Sequence, residues 1–328
     1  MSRPKITIVT PSFNQAQFLE QTICSVLDQK YSNIEYLIID GGSTDGSVEI
    51  IKRYERHLTY WESIKDRGQS HAINKGLRMA TGDVFNWLNS DDYYSPDALN
   101  IIATNFGDPR VQAVLGRSRI FEHPDRTIKI STGTDVYPEN LAKTVGWARI
   151  DQPETFFRLS AYRKIGVLNE SLHFLMDREW WIRYLVNFGL GHTVTVPDIL
   201  VNFRQHSLSK TMSQQAGFEQ ELIRITSSLG VACAYPNIRQ MFEIDQPVIS
   251  YCFTDVEKEQ LRAAVSYAML FLAEYFYYHR NDSRKAKLFL DNLIQSDLFP
   301  EDLRLYHKLQ VRVNFLPSYL RRFYHKFL

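Results

Sequence analysis

The chain is 328 residues long, with 44% hydrophobic and 23% charged residues, enough to bury one large core or two modest ones and unlike a disordered chain. A formal net charge of +1 supplies no global field for a polyanion, so nucleic acid is not expected as a partner. Cys24, Cys233 and Cys252 show none of the paired spacings of structural zinc or of a disulfide framework, which fits a reducing compartment.

Met1-Ser2-Arg3-Pro4 runs straight into a strand-like segment whose apolar run is too short for a signal sequence. A cytoplasmic location is therefore expected. The longest apolar stretch, 268–278, is broken by Glu274 and falls short of the roughly 20 residues that a membrane span needs.

Short β-branched runs at 6–10, 35–39, 58–64 and 84–88 alternate with helical patterns at 18–27, 47–54 and 72–79. This alternation predicts an α/β fold built on a doubly wound, mostly parallel sheet. Ligands of such sheets bind beyond the carboxyl ends of the strands, so the chemistry is expected in the segments 10–15, 40–47, 66–70 and 89–92. From 111 to 203 the pattern is irregular, with strand-like stretches at 154–158 and 193–201 around a helix that begins near Asp177. Beyond about residue 213 it is helical, with apolar positions at helical spacing over 261–278 and 286–293. The expected division is a catalytic domain over 1–212 and a C-terminal helical region over 213–328.

Asp91-Asp92 is the most informative pair. Ser95 as N-cap and Pro96 as first helical residue already start the next helix, which leaves the two aspartates without a capping task. Adjacent carboxylates at a strand end repel each other unless a cation neutralises them. Mg2+ or Mn2+ suits such hard oxygen donors and holds substrate phosphates at the same time. Asp40 ends an apolar strand, and Gly41-Gly42 after it permits positive φ and close approach of the backbone to a ligand. Asp45 reads as the N-cap of the helix that follows.

Taken in order, Pro11-Ser12-Phe13-Asn14, Asp40-Gly41-Gly42-Ser43-Thr44-Asp45-Gly46, Asp66-Arg67-Gly68-Gln69-Ser70 and Asn89-Ser90-Asp91-Asp92 closely resemble glycosyltransferase family 2, inverting enzymes of GT-A fold that use nucleotide sugars. The resemblance spans roughly residues 5 to 210. It implies that Thr10, Pro11, Phe13 and Asp40 border the base, with Asp40 accepting from a base N–H. Asp66, Gly68 and Ser70 would line ribose and diphosphate, with Asn14, Gly41, Gln69 and Asn74 completing the nucleotide-sugar site. Asp92 would ligate the metal, and Asp91 would face ribose and metal.

Met176-Asp177-Arg178-Glu179-Trp180-Trp181 is similar to the family's acidic-pair element, which makes Asp177 the candidate general base. Met176 stands where the family often has Glu. Residues 202–209 are similar to its late basic element, in which His206 would add a metal ligand or a phosphate contact. One of Trp180 and Trp181 is expected in the core, with the other available to stack on a sugar.

The implied activity moves a sugar from a nucleotide-diphosphate sugar, a UDP-sugar by preference, to a saccharide or lipid-linked acceptor, in surface polysaccharide or glycolipid assembly. The closing segment, 316–328, interleaves basic and aromatic residues. It suits either docking on its own domain or peripheral contact with an anionic membrane surface. Two rival readings are a sugar-nucleotide nucleotidyltransferase and a non-catalytic binding protein on the same fold. The first loop lacks the glycine and basic residue of the former; the joint presence of Asp40, Asp91, Asp92 and Asp177 speaks against the latter.

Overall fold

A computed structural model describes residues 3–124, 126–147, 149–206, 215–243, 249–251 and 253–315. The 316–328 segment, Cys252 and residues 207–209 of the late basic element lie outside the described residues. The chain divides into two compact units, Met1–Asp135 with Arg149–Phe218, and Val136–Ala148 with Glu219–Leu328. The sequence reading draws one boundary at 212. The chain instead leaves the first unit at 135 and rejoins it at 149.

In the first unit β1 (Ile6–Ser12), α1 (Ala16–Leu27), β2 (Ile34–Asp40), α2 (Ser47–Tyr54), β3 (Tyr60–Ser63), α3 (Gln69–Met79) and β4 (Val84–Trp87) alternate as expected. Their strands pair in parallel in the order β3-β2-β1-β4. Every residue of β1 is buried, and all of β2 after Ile34, as befits strands covered on both faces. Gly76 lets α3 sit directly on β1, because a Cβ there would come within 2.6 Å of both Val9 methyl carbons.

The remaining elements are β5 (Tyr93–Tyr94), α4 (Ala98–Asn105), β6 (Ala113–His123), β7 (Arg126–Ile130), β8 (Thr155–Arg158), a helix α6 (Leu159–Ile165) that follows α5 (Leu141–Trp147) of the other unit, α7 (Met176–Phe188) and β9 (Thr193–Arg204). They extend the sheet to β3-β2-β1-β4-β8-β6-β9-β5, with β7 on β6. Pairing here is mixed: β8 is antiparallel to β4 and β6, whereas β9 is parallel to β6. The molecule is thus an α/β fold with a mixed sheet, parallel through its N-terminal half.

Two local expectations change. Helix α4 starts at Ala98, with Asp97 at φ 66° before it, and Ser95 is not its cap. Ser95 is committed to β9: its N–H donates to the Leu200 carbonyl at 2.8 Å, and its hydroxyl accepts from Asn202 Nδ2 at 3.1 Å. The stretch that reads as irregular contains the long β6. Register shifts against β9 at Leu115/Arg117 and Arg117/Ser118 break its two-residue alternation and hide the strand.

The second unit gathers α5, α8 (Gln215–Ala232), α9 (Ile238–Met241), α10 (Asp255–Tyr278), α11 (Ser283–Asn292) and α12 (Pro300–Phe315). The first turn of α8 belongs to the other unit. Thr254 and Glu257 form a capping box at the start of α10, with Thr254 N–H donating to Glu257 Oε2 at 2.7 Å. Among the described residues no helix is long and apolar enough to cross a membrane.

Candidate active site

The loops after β1 and β2 are bound into one piece. Asp45 Oδ2 accepts the Ala16 N–H at the start of α1, at 2.9 Å. Its Oδ1 accepts the Ser47 N–H and hydroxyl at the start of α2, at 3.1 and 2.6 Å. Gly46, at φ 98°, occupies the cap position itself, so Asp45 serves the helix from one residue earlier. Burial raises the Asp45 pKa, but these hydrogen bonds outweigh it and hold the carboxyl below its ordinary value. Asn14, at φ 51°, accepts the Thr44 N–H at 2.9 Å, while its own N–H donates to Ser43 Oγ at 2.8 Å.

Asp40 is fully buried and takes its donors from its own surroundings. The Gly42 and Ser43 N–H groups and the Ser43 and Ser63 hydroxyls donate to it at 2.6 to 3.1 Å. Its carboxylate shapes the loop, and Gly41 is the neighbour that lines the adjoining cavity. Thr10 is buried against the Tyr36 hydroxyl at 3.1 Å. Ser70 Oγ donates to the Leu172 carbonyl at 3.0 Å, and Asn74 exchanges hydrogen bonds with the Leu168 backbone at 2.9 Å in each direction. These last two side chains hold the 168–172 loop onto α3.

One cavity of about 820 Å3 opens at the strand ends. Pro11, Phe13, Gly41, Asp66, Gly68, Gln69, Asp91, Asp92, Asp177 and Arg178 all line it. Phe13 is 61% exposed, a flat apolar ring at the rim suited to covering a planar base. The expected Thr10, Asn14, Asp40, Ser70, Asn74 and His206 are not among the residues that line it.

Asp92 is buried at 2% exposure. Its Oδ1 accepts the Arg204 N–H at 2.9 Å, and the Arg204 Nε donates to the Asp91 carbonyl at 3.0 Å. The Arg204 guanidinium lies over the Phe18 and Phe121 rings at 4.5 and 4.7 Å. His206 Nε2 is 3.0 Å from Asp91 Oδ2. Burial, then the charge of Asp91, push the Asp92 pKa well up, as expected of a buried carboxyl beside a second carboxylate. Among the described residues no group of three His, Cys, Asp or Glu side chains converges as a metal-ligand set. Two adjacent carboxylates nonetheless fit Mg2+ or Mn2+ of the kind that takes its remaining oxygens from water and substrate phosphates. The donor set suits a cation that arrives with a diphosphate.

Asp177 lies in the first turn of α7, one residue past Met176, with Leu175 in the cap position. Its Oδ1 accepts the Arg178 N–H at 2.7 Å. Burial raises its pKa to about 6, so the group is ionised at neutral pH yet basic enough to take a proton. Trp180 and Trp181 are both in the core. Trp180 stacks on Tyr162 at 4.0 Å and Trp181 on Tyr184 at 5.0 Å, so neither serves as a sugar platform.

Arg149, Asp151 and Glu154 also line the cavity; sequence reasoning did not single out the first two, and it gave Glu154, in a segment that resembles the family's approach to the acceptor strand, no catalytic role. Arg149 Nη1 donates to both Asp151 carboxylate oxygens at 3.0 Å. Glu154 is 1% exposed, and burial followed by the charge of Asp151 lifts its pKa to about 8. The available signal was two acids flanking Gln152-Pro153 just before an apolar strand.

Residues 7–184 match the family described as Glycosyl transferase family 2. The chain is 27% identical over 244 residues to an uncharacterised glycosyltransferase of Nostoc sp., covering 71% of this chain and 74% of that one. It is 31% identical over 137 residues to TuaG of Bacillus subtilis, named for teichuronic acid biosynthesis, covering 40% and 50%. Among solved structures, S. aureus TarS 1–349 in complex with UDP-GlcNAc superposes with a TM-score of 0.63 at 15% identity, covering 98% of this chain and 92% of that one. The mannosyltransferase PcManGT of Pyrobaculum calidifontis, in complex with GDP-Man and Mn2+, does so with a TM-score of 0.54 at 18% identity, covering 99% and 84%. Both structures share this fold, and the match over 7–184 takes in more than half of the chain: the protein is a glycosyltransferase of family 2.

Proposed function

We propose that the protein is an inverting transferase that moves a sugar from a nucleotide-diphosphate sugar, a UDP-sugar by preference, to an acceptor hydroxyl in cell-surface polysaccharide or glycolipid assembly. The observation that carries this reading is that Asp91, Asp92 and Asp177 line one cavity large enough for a nucleotide sugar. TuaG, named for teichuronic acid biosynthesis, favours the surface-polysaccharide setting.

Phe13 and Pro11 cover the base, and Asp66, Gly68 and Gln69 line the ribose and diphosphate. Asp91 and Asp92, with His206 beside them, hold Mn2+ or Mg2+, which when bound neutralises the charge that builds on the departing diphosphate. Arg204 fixes both aspartates through its backbone N–H and guanidinium. Asp177 takes the proton of the acceptor hydroxyl as that hydroxyl attacks the anomeric carbon from the face opposite the diphosphate.

The acceptor is a saccharide or a lipid-linked saccharide. Peripheral contact with an anionic membrane is assigned to residues 316–328, and liposome flotation of the full chain against a chain truncated after 315 tests it. The central test is nucleotide release from a panel of UDP- and GDP-sugars. Release that requires Mn2+ or Mg2+ is expected, and its absence with every donor defeats the reading.

A further inference from the structure

In an inverting transfer the sugar ring lies between the diphosphate and the base, because the acceptor attacks opposite the leaving group. Asp91, Asp92 and Asp177 line the one cavity. Two carboxyl groups, Asp151 and Glu154, line the same cavity and have no part in that chemistry.

Their placement is built in. Gln152 Nε2 donates to Asn86 Oδ1 at 2.8 Å and to the Trp87 carbonyl at 2.9 Å, and Asn86 Nδ2 donates back to the Pro153 carbonyl at 2.8 Å. The turn that carries both acids is thereby tied to β4, the strand that leads to Asp91-Asp92. Glu154 is close enough for its charge to act on Asp92, and Asp151 for its charge to act on Asp177. Between them the two groups therefore lie within reach of both Asp92 and Asp177.

They also differ in kind. Glu154 is closed off from solvent; its Oε1 accepts from Ser131 Oγ at 3.1 Å, and its carboxyl hydrogen-bonds that of Asp151. The Asp151 side chain is 17% exposed, and Arg149 Nη1 donates to both of its oxygens at 3.0 Å, with Glu154 also against it. A carboxylate has about four acceptor sites, and hydrogen bonds to its charge are roughly twice as strong as neutral ones. Asp151 thus has acceptor capacity facing the cavity, in a fixed orientation. A second cation is a poor occupant, since the Arg149 guanidinium already neutralises Asp151 at 3.0 Å.

We propose that Asp151 is a specificity-determining residue that accepts hydrogen bonds from hydroxyls of the transferred sugar, and that Glu154 is the positioning residue behind it. This rests on the glycosyltransferase reading of the cavity. Calorimetric titration of the full chain with UDP, UDP-GlcNAc, GDP and GDP-mannose in Mn2+ separates the two ideas. Asp151→Ala and Asp151→Asn should weaken the sugar nucleotide about tenfold while leaving the parent nucleoside diphosphate within about twofold. Glu154→Ala should follow them, and Glu154→Gln, a neutral hydrogen-bonding replacement, should restore what Glu154→Ala loses. An equal loss for both ligands, or no loss for the sugar nucleotide, overturns the role of Asp151. A Glu154→Gln variant no better than Glu154→Ala overturns that of Glu154. A wild-type chain that binds neither nucleoside diphosphate nor sugar nucleotide with Mn2+ shows instead that the reading of the cavity itself is wrong.

Discussion

The backbone N–H of Arg204 donates to Asp92 Oδ1 at 2.9 Å across 112 residues of sequence. The end of β9 is thus a structural part of the acidic pair, and the Arg204 side chain continues the same connection to the Asp91 carbonyl and to Gln21. Arg204→Ala should cost on the order of 2–4 kcal/mol of stability by emptying a space between two aromatic rings and unpairing Gln21. Arg204→Lys should recover little, because an ammonium lacks the planar fork and the stacking face. Urea melts of both variants, with nucleoside diphosphate affinity in Mn2+, check this.

Asp92→Ala should abolish the part of donor affinity that depends on the metal. With EDTA the variant and the wild type should bind UDP or GDP equally weakly. With Mn2+ only the wild type should gain, by roughly 100-fold or more on the scale of lost metal ligands. A variant that still responds to Mn2+ would place the cation elsewhere.

Asp177→Asn should spare donor binding and lower kcat by roughly 100-fold to 10,000-fold, the usual range for loss of a general base. Its pKa of about 6 sets the direction of the pH profile. The base acts when ionised, so kcat should fall as pH drops through about 6, and the residual rate of Asp177→Asn should lack that limb.

The same shift bears on stability with the opposite sign from the usual carboxylate. The folded-state value of about 6 exceeds the ordinary aspartate value of 3.8, so the folded chain holds the proton more tightly. Stability then falls as pH rises from about 4 to above 6. Asp177→Asn should therefore raise Tm at pH 8 and leave it nearly unchanged at pH 4, a trade of activity against stability. Thermal melts at the two pH values decide it.

Glu35 behaves in the ordinary sense. Burial raises its pKa, but hydrogen bonds from Lys5, Thr7 and Thr81 outweigh it and bring it to about 2. Its contribution is present above the unfolded value of 4.5 and lost as pH falls toward 2. Glu35→Gln should destabilise the chain at pH 7 by up to about 3 kcal/mol, with the difference from wild type vanishing near pH 2 in urea titrations.

The N-terminal half was readable from sequence because β1, β2 and β4 are buried, largely apolar runs, and the loops after β2, β3 and β4 carry small and acidic residues. Helix α2 over 47–54 matches residue for residue, and β1, β2 and β4 fall within two residues of expectation. What was not readable depends on long-range partners. Ser95 looks like a cap and is claimed by Leu200 and Asn202; β6 is disguised by its bulges. Asp40 reads as a ligand contact, but its donors come from Ser43 and from Ser63, on a neighbouring strand. The weight of Asp151 and Glu154 appears only when their burial and the Arg149 clamp are visible.

Asp45, which receives the first N–H of α1 and of α2, limits how the chain can vary. Neither of the first two loops can be lengthened or shortened on its own without pulling a helix end off that shared anchor. Changes in base preference should therefore come from substitutions within a constant loop length, with insertions confined to parts of the chain that this carboxylate does not reach.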